Sequence, residues 1–265
     1  MNSVIKGIFD SLPTLWRSRI RRVAGFRHRL RDKKRELPWR LWRGLRSPPG
    51  SAPWLIRREV LYGGIVTDVP RKTVSAADPR TPAQLNFGGM TGGDRMLHSR
   101  YAEVYERYLR PFLGKPDVTF AEFGILNGTG LAIWCDLFPQ GTVLGFDIDL
   151  QHCRNNYPSL RGRGAFSRRE PELHVYDQLL DNSDKLQTVL GARRLDVVTD
   201  DGMHTAAAIV NTWRSVKPFL AENFVYFVED FGGLLDQCGN EFDGFLCRSF
   251  GNISVISPLI VERQP

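Results

Sequence analysis

The stretch VTFAEFGILNGTG, residues 118–130, decides how the chain is read: a β-type apolar run ends at an acid and a glycine, and Gly124, Gly128 and Gly130 precede a helical segment. Glycines so placed allow a tight turn and let a ligand come close to the backbone. Outward from this stretch, short β-type runs alternate with helical ones. Strands are expected over 118–124, 142–148 (TVLGFDI), 172–176 (ELHVY), 195–199 (LDVVT) and 223–229 (NFVYFVE), with helices near 129–137, 150–156, 182–190 and 205–217. Strands separated by helices require right-handed crossovers and a mostly parallel sheet. ISVISPLIVER (253–263) reads as two short strands bent at Ser257-Pro258, an antiparallel hairpin on the sheet edge. The expected fold is α/β, a doubly wound, mostly parallel, Rossmann-like sheet with a C-terminal antiparallel hairpin.

The 265 residues are 42% hydrophobic and 25% charged, enough to bury a core and unlike a disordered chain. No apolar run reaches the roughly 18 residues that read as a membrane-spanning helix. Charges recur throughout the N-terminus, where a signal peptide would be apolar, so secretion is not expected and a cytoplasmic setting is. Cys135, Cys153, Cys238 and Cys247 show no zinc or CxxC spacing and read as reduced thiols. The net charge of +7 is concentrated: residues 16–46 alone carry 13 Lys or Arg against Asp32 and Glu36, so the remainder is net acidic.

Within that basic stretch Trp16, Ile20, Val23 and Leu30 fall at helical spacing, with Phe26 nearby, and Pro38 and SPPGSAP (47–53) interrupt any long helix. The arm suits an anionic lipid surface, with Trp16, Trp39 and Trp42 at the interface, which would make the protein peripheral to a membrane. A solvated or partner-packed tail is the equal alternative; nucleic acid is disfavoured, because a charge run alone carries little specificity. The chain therefore divides into a basic arm and linker (1–53), a connecting segment (54–90) and a main domain (91–265). At the start of that domain Tyr101, Tyr105, Tyr108 and Leu109 read as the core-facing stripe of a helix.

In a doubly wound sheet, ligands bind beyond the carboxyl ends of the strands, and here those positions are acids or glycines. Asp147 ends the second strand, 23 residues after Gly124, where a carboxylate can accept both hydroxyls of an adenosine ribose. Asp149 competes for that role or caps the next helix. Asp177 follows the third strand and suits either an adenine amino group or a simple turn. The fourth and fifth strands lead into TDDGMH (199–204) and VEDFGG (228–233), which bring Asp200, Asp201, His204, Glu229 and Asp230. Asp201, Glu229 and Asp230 offer hard oxygen ligands suited to Mg²⁺. His204, three residues after Asp201, is placed to act as a neutral general base.

In order, GGDRMLHSRYAEVYERYL (92–109), AEFGILNGTG (121–130), WCDLFP (134–139), GFDI (145–148), YDQ (176–178), TDDGMH and VED resemble the class I S-adenosylmethionine-dependent methyltransferases. Among these they are similar to the Mg-dependent macrolide sugar O-methyltransferases of the mycinamicin VI and macrocin type. The resemblance covers roughly residues 91–263. It implies that Glu122, Gly124, Asp147 and Asp177 line an S-adenosylmethionine site, with Asp200 supporting it. It further implies that Asp201, Glu229 and Asp230 hold Mg²⁺ and that His204 is the base.

The implied reaction is methyl transfer to a sugar hydroxyl of a glycoside, glycolipid or polysaccharide precursor. A glycosylated small molecule or glycolipid is then the expected partner, and assembly into a homo-oligomer stays open. Two alternatives remain: a phenol, catechol or antibiotic-tailoring acceptor, and a non-catalytic S-adenosylmethionine-binding scaffold.

Overall fold

The computed structural model describes residues 33–40, 47–67, 73–80 and 90–259. The chain separates into two compact units, 1–45 and 46–265. In the first, residues 33–40 are helical through Pro38, where an interruption is expected from sequence, and Arg40 Nη2 pairs with Glu36 at 2.7 Å one turn away. The residues called at 16, 20, 23, 26, 30 and 42 lie outside the described residues. Among the described residues no helix is long and apolar enough to cross a membrane.

The second unit opens with a helix, α1 (Ala52–Tyr62), that the sequence signals only weakly. Pro53 falls in its first turn, where a missing N–H costs nothing, and the Ala52 amide donates to Glu106 Oε2 at 3.0 Å. Trp54, Leu55 and Tyr62 are buried in the main core, so part of the connecting segment is integral to the unit. A small antiparallel pair follows, β1 (Ile65–Thr67) with β2 (Met90–Gly92), and then α2 (Ala102–Leu109).

The remaining elements are β3 (Thr119–Phe123), α3 (Thr129–Leu137), β4 (Thr142–Asp147), α4 (Gln151–Gly162), β5 (Glu172–Val175), α5 (Ser183–Leu190), β6 (Leu195–Asp200), α6 (Ala206–Val216), β7 (Leu220–Val228), a short α7 (Leu234–Cys238), β8 (Phe245–Phe250) and β9 (Ile253–Pro258). They form one seven-stranded sheet in the order β5-β4-β3-β6-β7-β9-β8. The five strands from β5 to β7 pair in parallel, whereas β9 pairs antiparallel with both β7 and β8. The chain winds outward from β3 through β4 to β5, then returns to the other side of β3 as β6. That reversal is the topological switch point, where a crevice opens beyond the strand ends.

Alternate residues feed the two faces. Phe120, Val197, Val225 and Phe227 join one cluster with α1, α2 and α3, while Ala121, Phe123, Val198 and Tyr226 join another with α5 and α6. The edge hairpin lies earlier than the sequence suggests. Its turn is at Gly251, whose φ of 68° a glycine adopts without strain, and β9 runs through Ser257 to Pro258 instead of bending there. The first strand of the pair, FLCRSF, is only partly buried and lacks a clear apolar alternation, which hid it.

Candidate active site

The loop after β3 is fixed from two sides. Gly124 has φ +88°, and a Cβ there would collide with the backbone of Asp201 and Gly202, so the β3 and β6 ends can approach this closely only over glycine. Asp147, at the end of β4, accepts from the amides of Ile125 (3.0 Å) and Leu126 (3.1 Å) on Oδ2 and from Asp149 (3.2 Å) on Oδ1. It therefore shapes the glycine loop as well as lining the crevice. Asp149 accepts from the Gln151 amide at the start of α4 and from the Thr73 amide, tying residues 73–80 to this edge. Asp177 accepts from the Leu179 amide at 3.0 Å, the bond of an aspartate turn, and also faces the crevice.

Beyond β6 and β7, Asp201, His204 and Asp230 each present a ligating atom, all within 4.8 Å of one another. His204 and Asp230 hold φ of 53° and 54°, conformations that non-glycine residues keep only when their surroundings enforce them. His204 Nδ1 lies 3.2 Å from the Glu229 carbonyl oxygen; as the N–H tautomer it donates there, leaving the Nε2 lone pair on the side of Asp201, 3.8 Å from its Oδ1. Tyr101 donates its hydroxyl to Asp230 Oδ1 at 2.5 Å.

Gln178 clamps the turn between Asp200 and His204. Its Nε2 donates to Asp200 Oδ1 (2.7 Å) and Thr212 Oγ1 (3.0 Å), and its Oε1 accepts from the Met203 amide (2.8 Å). Burial pushes the Asp200 carboxyl up to about 7, against the opposing pull of Gln178, His204 and Tyr226. Asp200 thus faces inward as a buried anchor, while Asp201 turns outward.

Glu229 does not join the group of three. Its Oε2 accepts from Arg95 Nε at 2.8 Å and its Oε1 from the Tyr105 hydroxyl. The same guanidinium places Nη2 2.6 Å from Glu122 Oε1 and 2.8 Å from Asp201 Oδ2, and lies over the Trp134 ring. Burial raises the carboxyls of Glu122 and Glu229, and Arg95 opposes both shifts. Burial also works against the charge on Arg95, but Glu229, Glu122 and Asp201 outweigh it and hold the guanidinium firmly protonated. Arg95 is itself fixed by Glu59 of α1, which accepts from the Met96 (2.7 Å) and Leu97 (2.8 Å) amides of the same turn.

Two adjoining cavities open on these residues. The larger, about 340 Å³, runs from Asp147, Phe146 and Asp177 past Leu126 to His204 and Asp230. The smaller, about 80 Å³, lies between Gly92-Gly93, Glu122 and Gly130. They share Asp94, Gly124, Leu126 and Asp201. The larger falls in the size range of small-molecule sites.

Glu122, Gly124, Asp147, Asp177, Asp201, His204 and Asp230 all line one or both cavities; Asp200 and Glu229 stand behind them, buried. The two outward carboxylates fit a hard divalent cation that completes its shell with water or substrate oxygens, and the imidazole stands beside them. Residues not read from sequence as part of the site are Glu59, Asp94, Arg95, Tyr101, Tyr105 and Gln178. Tyr101 and Tyr105 are one helical turn apart and do sit in the core, yet their hydroxyls end on Asp230 and Glu229. Buried tyrosines need a hydrogen-bond partner, a signal the stripe already carried.

No family model matches the chain. Over 198 residues it is 28% identical to the 8-demethyl-8-alpha-L-rhamnosyl tetracenomycin-C 2'-O-methyltransferase of Streptomyces olivaceus, which covers 67% of this chain and 47% of that protein. Among solved structures, the MycE methyltransferase from the mycinamycin biosynthetic pathway, in complex with Mg, SAH and mycinamycin VI, aligns with a TM-score of 0.46 at 20% identity, over 60% of this chain and 49% of that one. The O-methyltransferase TomG from Streptomyces achromogenes, in complex with SAM, aligns with a TM-score of 0.41 at 11% identity, over 53% and 73%. The chain spans about half the length of the curated relative it matches. Over about two thirds of its own length, then, it is similar in sequence to a sugar O-methyltransferase.

Proposed function

We propose that the protein is an S-adenosylmethionine- and Mg²⁺-dependent O-methyltransferase acting on a hydroxyl of a glycosylated small molecule. The observation that carries this reading is the convergence of Asp201, His204 and Asp230 within 4.8 Å at one end of a cleft whose other end is lined by Asp147 and Asp177. The similarity to a rhamnosyl 2'-O-methyltransferase supports the sugar acceptor. In this reading the catalytic unit is residues 91–265 together with α1, and the basic arm holds it near anionic lipid where glycolipid precursors would reside.

When bound, the cofactor would supply a methyl group on a good leaving group, and the metal would lower the cost of deprotonating the acceptor hydroxyl. The chain provides the rest. Asp201 and Asp230 would hold the metal, with Tyr101 orienting Asp230. His204, its Nδ1 committed to the Glu229 carbonyl, takes the hydroxyl proton at Nε2. Asp147 and Asp177 would hold the adenosine end of the cofactor, and Glu122 and Gly124 would line its site. Gln178 keeps the turn carrying His204 in place, so that the acceptor oxygen and the methyl group are presented in line. No covalent enzyme intermediate is required.

The test is methyl transfer from S-adenosylmethionine to a panel of glycosides and catechols, with Mg²⁺ and with chelator. Glycoside methylation that chelator abolishes is expected. Turnover of catechols alone would reject the sugar acceptor, and turnover unaffected by chelator would reject the metal.

A further inference from the structure

Asp94 follows Gly92-Gly93 in the turn after β2 and lines both cavities. It shares that position with Gly124, Leu126 and Asp201, so these four residues mark the junction where one cavity opens into the other. The turn that carries Asp94 is fixed through its backbone: Glu59 accepts from the Met96 and Leu97 amides, and the Asp94 carbonyl accepts from the Ser99 amide at 2.8 Å. The Asp94 carboxyl itself faces like charges. Burial pushes it up, Asp201 and then Asp230 push it further, and a backbone bond within the turn and Arg95 oppose them. A junction so crowded with negative charge favours a ligand that brings a positive charge there.

In the proposed function the adenosine lies in the larger cavity, at Asp147 and Asp177. The smaller cavity offers a buried carboxylate and a buried guanidinium, Glu122 and Arg95, and Arg95 Nη1 has no hydrogen-bond partner among the described residues. The zwitterionic amino-acid tail of S-adenosylmethionine matches that pair of charges. A tail in the smaller cavity and an adenosine in the larger put the sulfur that joins them at the junction. We infer that Asp94 recognises the positive sulfonium there, and so makes the protein prefer S-adenosylmethionine to its neutral product, S-adenosylhomocysteine. The inference rests on the S-adenosylmethionine-dependent reading above. Asp201, the other acid of the junction, already pairs with Arg95 at 2.8 Å, whereas the charge of Asp94 is matched by the donor. On transfer the acceptor oxygen bonds the methyl carbon, the electron pair of the broken C–S bond returns to sulfur, and the hydroxyl proton passes to His204. The sulfur is left neutral, its attraction to Asp94 lapses, and product leaves more readily than donor.

The experiment is calorimetric titration of three ligands into the full chain, at saturating Mg²⁺ and again with chelator: S-adenosylmethionine, S-adenosylhomocysteine, and sinefungin, whose ammonium stands in place of the methylsulfonium. Wild type is compared with Asp94→Asn, which keeps the shape and removes the charge, and with Asp94→Glu, which keeps the charge. Asp94→Asn is expected to weaken S-adenosylmethionine and sinefungin by about tenfold each, and S-adenosylhomocysteine by less than about twofold. Asp94→Glu should hold the preference to within about threefold of wild type. If Asp94→Asn does not fold, Asp94→Ser is titrated in its place. A purely structural role would weaken all three ligands alike. Equal loss for donor and product, no loss for either, or a preference lost as fully in Asp94→Glu as in Asp94→Asn would overturn the inference while leaving the methyltransferase reading intact. Wild type that binds none of the three under either condition would sink both.

Discussion

The nest around Arg95 and the rim formed by Asp201, His204 and Asp230 are made of the same chemistry and behave oppositely. In the nest, Glu122 and Glu229 are buried against a guanidinium that the chain supplies from the turn after β2. In the rim, Asp230 is exposed and accepts from a neutral tyrosine hydroxyl. A buried carboxylate must bring its own counter-charge, whereas a carboxylate at the mouth of a cleft can wait for a ligand's. Asp201 belongs to both regions, one oxygen on each side. That is why charge placed in the nest is expected to be felt in the rim.

The comparison breaks most readily at His204. Replacing it by Ala should lower kcat by roughly 10²–10⁴, the range of a lost general base, while cofactor affinity stays within about threefold. Single-turnover kinetics alongside cofactor titration would check this, and surviving activity would assign the base elsewhere. Next comes Asp147→Asn, which removes a charged acceptor from the Ile125 and Leu126 amides as well as from the cleft. Cofactor affinity should fall by roughly 10–100-fold, from the worth of hydrogen bonds to a charged group. Metal binding without cofactor should be unchanged.

Gln178→Ala should have a more moderate effect. It unpins Met203 and leaves Asp200 with Tyr226, costing about 1–3 kcal/mol of stability. Because the turn that carries His204 loosens, kcat should drop more than KM rises; an unchanged kcat would mean the clamp is not needed for positioning.

The smallest effect is a pH dependence seated behind the nest. Burial pushes Glu59 up to about 7, so in the folded chain it holds a proton that the unfolded chain has already lost. Stability should therefore decline as pH rises from about 5 to about 7, with the unfolded state binding fewer protons throughout that window. Relative to Glu59→Gln, which cannot titrate, wild-type Tm should fall by a few degrees between about pH 5 and 8. A constant difference across that range would show that Glu59 titrates normally.

Much of this was legible before any coordinates. Alternating periodicities fixed the parallel sheet, and the acids after successive strands marked the working edge, because in a parallel sheet all those ends lie together. The sequence was silent where the contacts are long-range. Glu59 lies 37 residues from Met96 and Arg95 lies 134 from Glu229, and no local pattern announces such pairs. Local periodicity rightly placed the rings of Tyr101 and Tyr105 in the core but carried no word of where their hydroxyls end, on Asp230 and Glu229. The same limit applies to Glu229 and Asp230: adjacent acids at a strand end look equivalent in sequence, but just past β7 the backbone, with Asp230 at φ 54°, turns one inward to Arg95 and the other outward to the cleft.

The most direct test is calorimetric titration of S-adenosylmethionine into the protein with Mg²⁺ and with chelator, followed by titration of Mg²⁺ into the cofactor-loaded protein and into its Asp230→Asn variant. The account predicts saturable cofactor binding, one metal per chain, and loss of the metal heat in Asp230→Asn with cofactor binding retained. Metal binding that persists in Asp230→Asn, or no cofactor binding under either condition, would contradict it.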